Sequence, residues 1–422
     1  MVYVEVNQVT GERFMPYIID IPETIETEAK RYDDLFSNEP ERKHFRRYLT
    51  GLIAAERKTV NGITRSFVEA PDQSALNAWI HLDLWDEDAL NQRRVMTLKD
   101  DPQLGFQPDG VVAIDDTQCT HEGPKIMGMQ NLFDHNTNRF FHGMDIIYSH
   151  YVTRLPGHPH YPLHYRWYQK PDDAEERRRK REPSAHTEDF QWVVQQAIEL
   201  GFEGTFVFDN YYSGAPNLNY IAQRQRSYVG DIRTSRALMW HGQKRSIEEV
   251  AKEIPFESRQ PIPEGSGYYF TKTFEMPEVN HKVRLVFIWA EQQAKELIKC
   301  LGTNMIKWEI RRIRRTYQLR WTGCECYHRD GKQELGMGEC QLRTMAAQKR
   351  HLLLVIVAYT ALLRASQSGR LNEWAKTIVR TIGLSCRAVR AELWCKLIDH
   401  VITLIEQKAD ISSFKKMLLP AQ

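Results

Sequence analysis

The chain predicts an α/β protein with helical ends, and three observations carry that prediction. Two short apolar, β-branched runs, residues 111–114 and 204–208, read as buried strands, and each ends in an acid, Asp115 and Asp209. Apolar residues recur every three or four positions from about 22 to 98 and again beyond Asn304, the spacing of one buried helix face. Between 225 and 300 the pattern is instead one of strand candidates, at 227–232, 236–240, 267–274 and 283–289.

The N-terminal helices come first. Phe45, Tyr48, Leu49, Leu52 and Ile53 form one apolar stripe, flanked by Arg42, Lys43, Arg46, Arg47, Arg57 and Lys58. That basic flank reads either as a reader of DNA ends or as the solvated face of a structural bundle. Asp72 or Ser74 caps the helix that carries Leu76, Trp79 and Ile80.

The first acidic strand follows at 111–114. Residues 127–133 and 139–152 flank the turn-rich segment 134–138, which predicts a hairpin, and 162–168 reads as a further strand. The charged stretch 172–182, with Arg177 to Arg181, reads as an exposed linker. Phe190, Val193, Val194, Ala197, Ile198 and Leu200 then form a helix face, with Glu188 and Asp189 in the first turn and Gly201 just past the end. The order strand, hairpin, helix, strand, with each acid leaving its strand at the same end, is that of a ribonuclease-H-like core.

The bulk properties restrict the function. A length of 422 residues with 42% hydrophobic content supports two or three cored domains. The net charge of +2 neither demands nor excludes a nucleic-acid partner, so local charge must decide. Seven irregularly spaced cysteines suit a reducing compartment better than a disulfide framework. Residues 1–6 lack a secretion signal, and the apolar stretch 352–363 is too short to span a bilayer and reads as a buried helix. The expectation is a cytoplasmic protein without a membrane partner, lying on the nucleoid when bound to DNA.

An acid at the exit of a core strand is costly without a partner, and the usual partner is a metal. Asp115 and Asp209 are therefore candidate ligands of divalent ions. Asp116 is adjacent to Asp115 but points to the opposite face of the strand. A third acid, Glu325, lies in a basic helical stretch. From 305 to 350 there are eleven Lys or Arg against five Asp or Glu, a local excess suited to neutralising phosphates. Glu325 and Lys332 are seven apart, on one helix face two turns from each other. Either aspartate alone also reads as a helix cap. Cys324, Cys326, His328 and Cys340 are zinc ligands by type, but residues two apart on a helix point about 200° from each other. His158, His160 and His164 read as part of a Pro-containing turn and strand.

Tyr317, Arg320, Glu325 and Lys332 resemble the Y-R-E-K signature of bacterial cut-and-paste insertion-sequence transposases of the DDE class. Residues 114–117 and 208–212 resemble that family's first and second aspartate motifs, and 329–336 its basic stretch after the glutamate. The resemblance covers roughly 100 to 365 well and the N-terminal helical region loosely. It implies a ribonuclease-H-like catalytic core with a β-rich insertion, an N-terminal helical domain and C-terminal helices. The expected boundaries are 1–100 (helical DNA-binding region), 101–224 (first part of the core), 225–300 (insertion), 301–365 (closing catalytic helices) and 366–422 (C-terminal helical region).

It further implies that Asp115, Asp209 and Glu325 bind two Mg²⁺ ions, which Mn²⁺ can replace. Tyr317, Arg320, Lys332, Arg329, Arg314 and Arg315 would contact DNA, and Trp240 or Trp289 would stack on a flipped base. Transposon-end and target DNA are the implied partners, in a synaptic homodimer. A catalytically impaired relative that only binds DNA is the alternative. One spacing departs from the family pattern: four residues, 321–324, separate Arg320 from Glu325 instead of three. Five steps along a regular helix rotate two side chains about 140° apart. Either Gly323 loosens or begins the helix, or a π-bulge absorbs the extra residue, or Arg320 does not do the family's job.

Overall fold

The computed structural model describes residues 15–82, 85–121, 123, 125–134, 137–180, 184–409 and 411–418. The chain divides into two compact units, one of residues 1–90 with 331–422 and the other of residues 91–330. The reading of residues 1–6 lies outside the described residues.

The first unit is helical. Its N-terminal part holds α1 (Glu23–Ala29), α2 (Glu39–Ala54), α3 (Val60–Ser66), α4 (Gln73–His81) and the start of α5 (Glu87–Lys99). The predicted stripe Phe45, Tyr48, Leu49, Leu52 and Ile53 is fully buried. Asp72, not Ser74, caps α4, its carboxylate accepting from the backbone of Ser74 and Ala75. The basic flank of α2 is partly turned inward: Arg46 pairs with Glu26 at 3.0 Å and with Asp33 at 2.8 Å. Lys58, expected at the surface, is buried, and burial lowers its ammonium to about 8.

The second unit is built on one ten-stranded sheet. Its strands are β1 (Val111–Thr120), β2 (Gln130–Asp134), β3 (Arg139–Val152), β4 (His160–Trp167), β5 (Thr205–Phe208) and β6 (Ser227–Asp231), followed by a separate hairpin of β7 (Ala237–Trp240) and β8 (Gln243–Ser246). β9 (Gln260–Pro261), β10 (Tyr268–Phe274), β11 (Val283–Trp289) and β12 (Lys299–Thr303) complete it. The order is β2-β3-β1-β5-β6-β12-β11-β10-β9, with β4 also paired to β3. β1, β5 and β6 run parallel at its centre.

The predicted hairpin is present as β2 and β3, although His135 and Asn136 of its turn lie outside the described residues. The charged stretch is exposed at Asp172, Asp173, Glu175, Glu176 and Lys180, as expected, but it is helical rather than irregular. It forms α6 (Ala174–Lys180), because Glu175 and Glu176 suit the positive end of a helix and Glu176 pairs with Lys180 one turn on, at 2.6 Å. Residues 227–231, grouped by sequence with the later strands, form the strand paired directly to β5, and β12 was not foreseen.

Helices cover both faces. α7 (Ala185–Glu199) starts at the Ser184 cap and ends before Gly201, whose positive φ of 84° closes the C-terminus. Its Phe190 meets Phe208 of β5 edge-on. α8 (Ala215–Gln223) lies beside β6, and α9 (Ile247–Glu253) follows β8. On the other face, Ile310, Ile313 and Leu319 of α10 (Ile310–Arg320) share a core with Val111, Ala113, Val207, Val229 and Leu301.

α11 (Cys326–Gln333) continues the chain into the first unit, which ends with α12 (Met345–Gln367), α13 (Ile382–Glu406) and α14 (Ile411–Met417). By length and composition α12 is, among the described residues, the one helix apolar enough to cross a membrane, yet 89% of that window is buried in the protein.

Candidate active site

Strand register builds the site. Ala113, Val207 and Val229 stand side by side across β1, β5 and β6, and all three face α10. Side chains two positions on return to the same face. Those positions hold Asp115, Asp209 and Asp231, so three carboxylates form a row across three neighbouring strands. Asp209 and Asp231 stand at strand ends, whereas Asp115, expected at a strand exit, lies inside β1, which runs on to Thr120 paired with β3, one residue past its last pair with β5. The first two are the predicted acids. Asp231 was missed, although the same signal marks it: an acid ending the β-branched, aromatic run 227–231.

The third predicted acid arrives on α10. Past Arg320 the helix widens into a π-turn, Trp321–Glu325, in which the Cys326 N–H donates to the Trp321 carbonyl five residues back. That turn absorbs the extra residue. Arg320 consequently meets both partners at once: one guanidinium nitrogen bonds the Asp115 carboxylate and the other lies 3.5 Å from Glu325 Oε1. Of the three resolutions left open by the spacing, the π-bulge is the one observed.

Gly323 has a different part from loosening the helix. A Cβ there would lie 2.6 Å from Val152 Cγ2 and 3.2 Å from the Ala113 Cβ, so only glycine lets the π-turn lie this close to the sheet. Tyr327, at the start of α11, packs on Tyr148 and His150 of β3 with ring centroids 5.3 and 4.9 Å apart. This aromatic contact anchors the far side of the turn.

The electrostatics favour a cation. Burial pushes the Asp115 carboxyl well above its usual range; Arg320 opposes this, while Asp209, Asp116 and Glu325 add to it by repulsion. Asp209 is raised to about 6 by burial and by Asp116, again against the pull of Arg320. One arginine therefore does not neutralise the cluster. An all-carboxylate oxygen set of this kind suits Mg²⁺ or Mn²⁺ rather than softer metals. Arg320 stands between Asp115 and Glu325, however, and among the described residues no group of three His, Cys, Asp or Glu side chains stands in chelating geometry.

The remaining candidates are placed as follows. Asp116 faces away from the row and accepts a hydrogen bond from the Tyr212 hydroxyl at 2.8 Å. Tyr317 is half-buried, its hydroxyl 3.2 Å from the Lys299 ammonium. Arg314 donates to the Pro263 carbonyl at 3.2 Å and Arg315 pairs with Glu264 at 2.6 Å. Arg329 is exposed and pairs with Asp330, and Lys332 is exposed two turns beyond Glu325. Trp289 is fully buried under the Arg259 guanidinium, so it offers no face to a base. Trp240 is half-buried, with Lys272 5.2 Å from its ring centroid and its indole N–H donating to Glu253. Cys324 lies in the core.

The sequence of residues 31–254 matches the family model described as DDE superfamily endonuclease. No curated protein matches the chain. The matched segment contains Asp115 and Asp209 and ends before Glu325, which shares the Arg320 guanidinium with Asp115. Members of this family have a ribonuclease-H-like core, act on DNA and normally use divalent metals. Because the match covers more than half of the sequence, the chain belongs to the DDE superfamily of endonucleases.

Proposed function

We propose that the protein is a DNA transposase of the Y-R-E-K insertion-sequence type, which cleaves transposon ends and joins their 3′-hydroxyls to target DNA. The observation that carries this reading is the bridge from Asp115 through Arg320 to Glu325, three residues brought together from opposite halves of the second unit's sequence. Asp115, Asp209 and Glu325 would hold two divalent ions, Mg²⁺ with Mn²⁺ as a substitute. When bound, such ions activate the attacking oxygen and stabilise the leaving one.

The chain's own residues do the rest. Asp209 Oδ1 is engaged by the Tyr211 N–H at 2.9 Å, leaving Oδ2 as a proton acceptor for water or the 3′-hydroxyl. Arg320, released from the carboxylates, is positioned to pair with a phosphate oxygen by the two-pronged geometry it now uses on them. Tyr317, Arg314, Arg315, Arg329 and Lys332 supply further donors to the DNA backbone. The chemistry is proposed to run in a synaptic homodimer, with residues 1–100 reading the ends and the stretch between β6 and β12 as the insertion. A relative that binds DNA without cutting it is the rival reading. Its best support was the extra residue before Glu325, and a π-turn that absorbs this residue removes that support.

The test is nicking of supercoiled plasmid carrying candidate end DNA, with Mg²⁺ or Mn²⁺. Asp115→Asn, Asp209→Asn and Glu325→Gln are each expected to lower the rate by on the order of a hundredfold or more. Any variant that nicks at the normal rate removes that residue from the centre, and an inert wild-type protein favours the rival.

A further inference from the structure

Asp231 and Lys299 extend the carboxylate row sideways in a way the metal chemistry does not require. β12 runs antiparallel to β6 with Leu301 opposite Asp231, and Leu301 faces α10. Lys299, two residues earlier on that face, places its ammonium 3.5 Å from Asp231 Oδ2 and 3.2 Å from the Tyr317 hydroxyl. The same nitrogen lies 4.6 Å from the Tyr317 ring centroid. An ion pair this close to the surface adds little stability by itself. Its geometry instead fixes one long, flexible cation in place and leaves it partly exposed.

Beside this pair is a cavity of about 320 Å³, lined by Asn210, Asp231, Arg233, Thr234, Ser235 and Lys299 among others. It begins at the residue after Asp209. The Arg233 guanidinium donates to the Asn210 carbonyl at 3.0 Å and lies 5.3 Å from the Tyr211 ring, which holds a second cation at the same rim. The volume is at the low end for ligand sites, roughly 300–1,000 Å³, so it suits one nucleotide unit and not a duplex. Cations, hydroxyls and an amide are the groups that contact DNA phosphates and sugars.

We propose that this cavity is a phosphate site for the strand being cut: Lys299, held by Asp231 and Tyr317, binds the backbone phosphate beside the reacting one, and Arg233, Thr234 and Ser235 hold the nucleotide unit that carries it. Lys299 makes the contact and Asp231 is a positioning residue. The inference rests on the reading that the carboxylate row faces DNA.

The experiment measures anisotropy of a fluorescein-labelled duplex of about 30 base pairs across a salt series, alongside plasmid nicking in Mn²⁺. Lys299→Gln is expected to weaken binding three- to tenfold and to lower the slope of log affinity against log salt by about one. Lys299→Arg restores both. Ser235→Asp, at an exposed position that tolerates substitution, weakens binding in the same direction by repelling the phosphate. Asp231→Asn raises KM for nicking more than it lowers kcat. If wild-type protein binds and nicks while Lys299→Gln and Ser235→Asp keep its affinity and salt slope, the phosphate site is refuted and the active-site reading survives. If deoxynucleoside monophosphate binds in a Lys299-dependent way with DNA affinity unchanged by the variants, the cavity serves a free nucleotide and the proposal fails. Wild-type protein that neither binds nor nicks DNA brings down both readings together.

Discussion

Deleting Thr322 is expected to leave the carboxylate centre assembled, whereas adding one residue at the same place destroys it. Each residue of a regular helix turns the chain by about 100°. Five steps from Arg320 to Glu325 would therefore leave their side chains about 140° apart. Both nevertheless meet, at 3.5 Å, because the π-turn spreads the extra residue over one wider turn. Without Thr322 there are four steps, and the side chains fall about 40° apart on an ordinary turn. The flanking segments keep their register, since a single-residue insertion is what a π-bulge accommodates.

Thr322 is the residue to remove because Gly323 and Cys324 are buried against the sheet. Replacing one wide turn by a regular one changes stability by no more than about 1 kcal/mol, since threonine is itself a weak helix former. An alanine inserted after Thr322 makes six steps, about 120° out on the other side. Circular dichroism establishes that each variant is folded, and Mn²⁺-dependent plasmid nicking reads the centre. The deletion should nick within about tenfold of wild type. The insertion should lose on the order of a hundredfold or more, as a displacement of about 1 Å already does. If the folded deletion variant is as inactive as the insertion, the π-turn does not set the position of Glu325 and the reasoning fails.

Three further outcomes are expected. Gly323→Ala puts a methyl group 2.6 Å from Val152 Cγ2, costing about 1–3 kcal/mol by overpacking, and Val152→Ala in the same chain should recover part of the lost melting temperature; no recovery refutes the contact. Mg²⁺ or Mn²⁺ should raise the melting temperature of wild-type protein in a concentration-dependent way, and Asp115→Asn should abolish that rise, whereas an equal rise in the variant places the ion elsewhere. Burial raises the Asp189 carboxyl to about 6 although Arg166 opposes it. The folded state then holds the proton more tightly than the unfolded one, so this contribution is present below pH 4 and is lost as pH climbs through 6. Melting scans over that window should show a flatter profile for Asp189→Asn, and an unchanged profile removes the assignment.

Much of the site was legible because an acid directly after an apolar run leaves a local signature, even though β1 runs on past Asp115. Asp115 and Asp209 each follow a β-branched or aromatic run, and that pattern needs no knowledge of the partners. Asp231 carries the same mark, but grouping 227–232 with the later strands hid it; only the parallel pairing of 227–230 with 205–208 shows that its strand is the next one over. Lys299 was invisible, since a lysine at the start of a short strand is ordinary until β12 is seen beside β6. The charged stretch around α6 is solvated as its charge density suggests, but its helix was not foreseen; the spacing of Glu176 and Lys180 favours that helix.

Composition and periodicity by themselves determined the classes of element and the two aspartates, and the resemblance to the Y-R-E-K pattern added the conflict at 320–325. A period of two or of 3.6 is a property of neighbouring residues, so it is written locally. Tertiary structure alone decided which strands lie side by side, how the five-step separation closes, and that Arg320 rather than a fourth acid stands between Asp115 and Glu325. Those outcomes depend on register between segments far apart in the chain and on packing space such as that left by Gly323, and no local pattern encodes either.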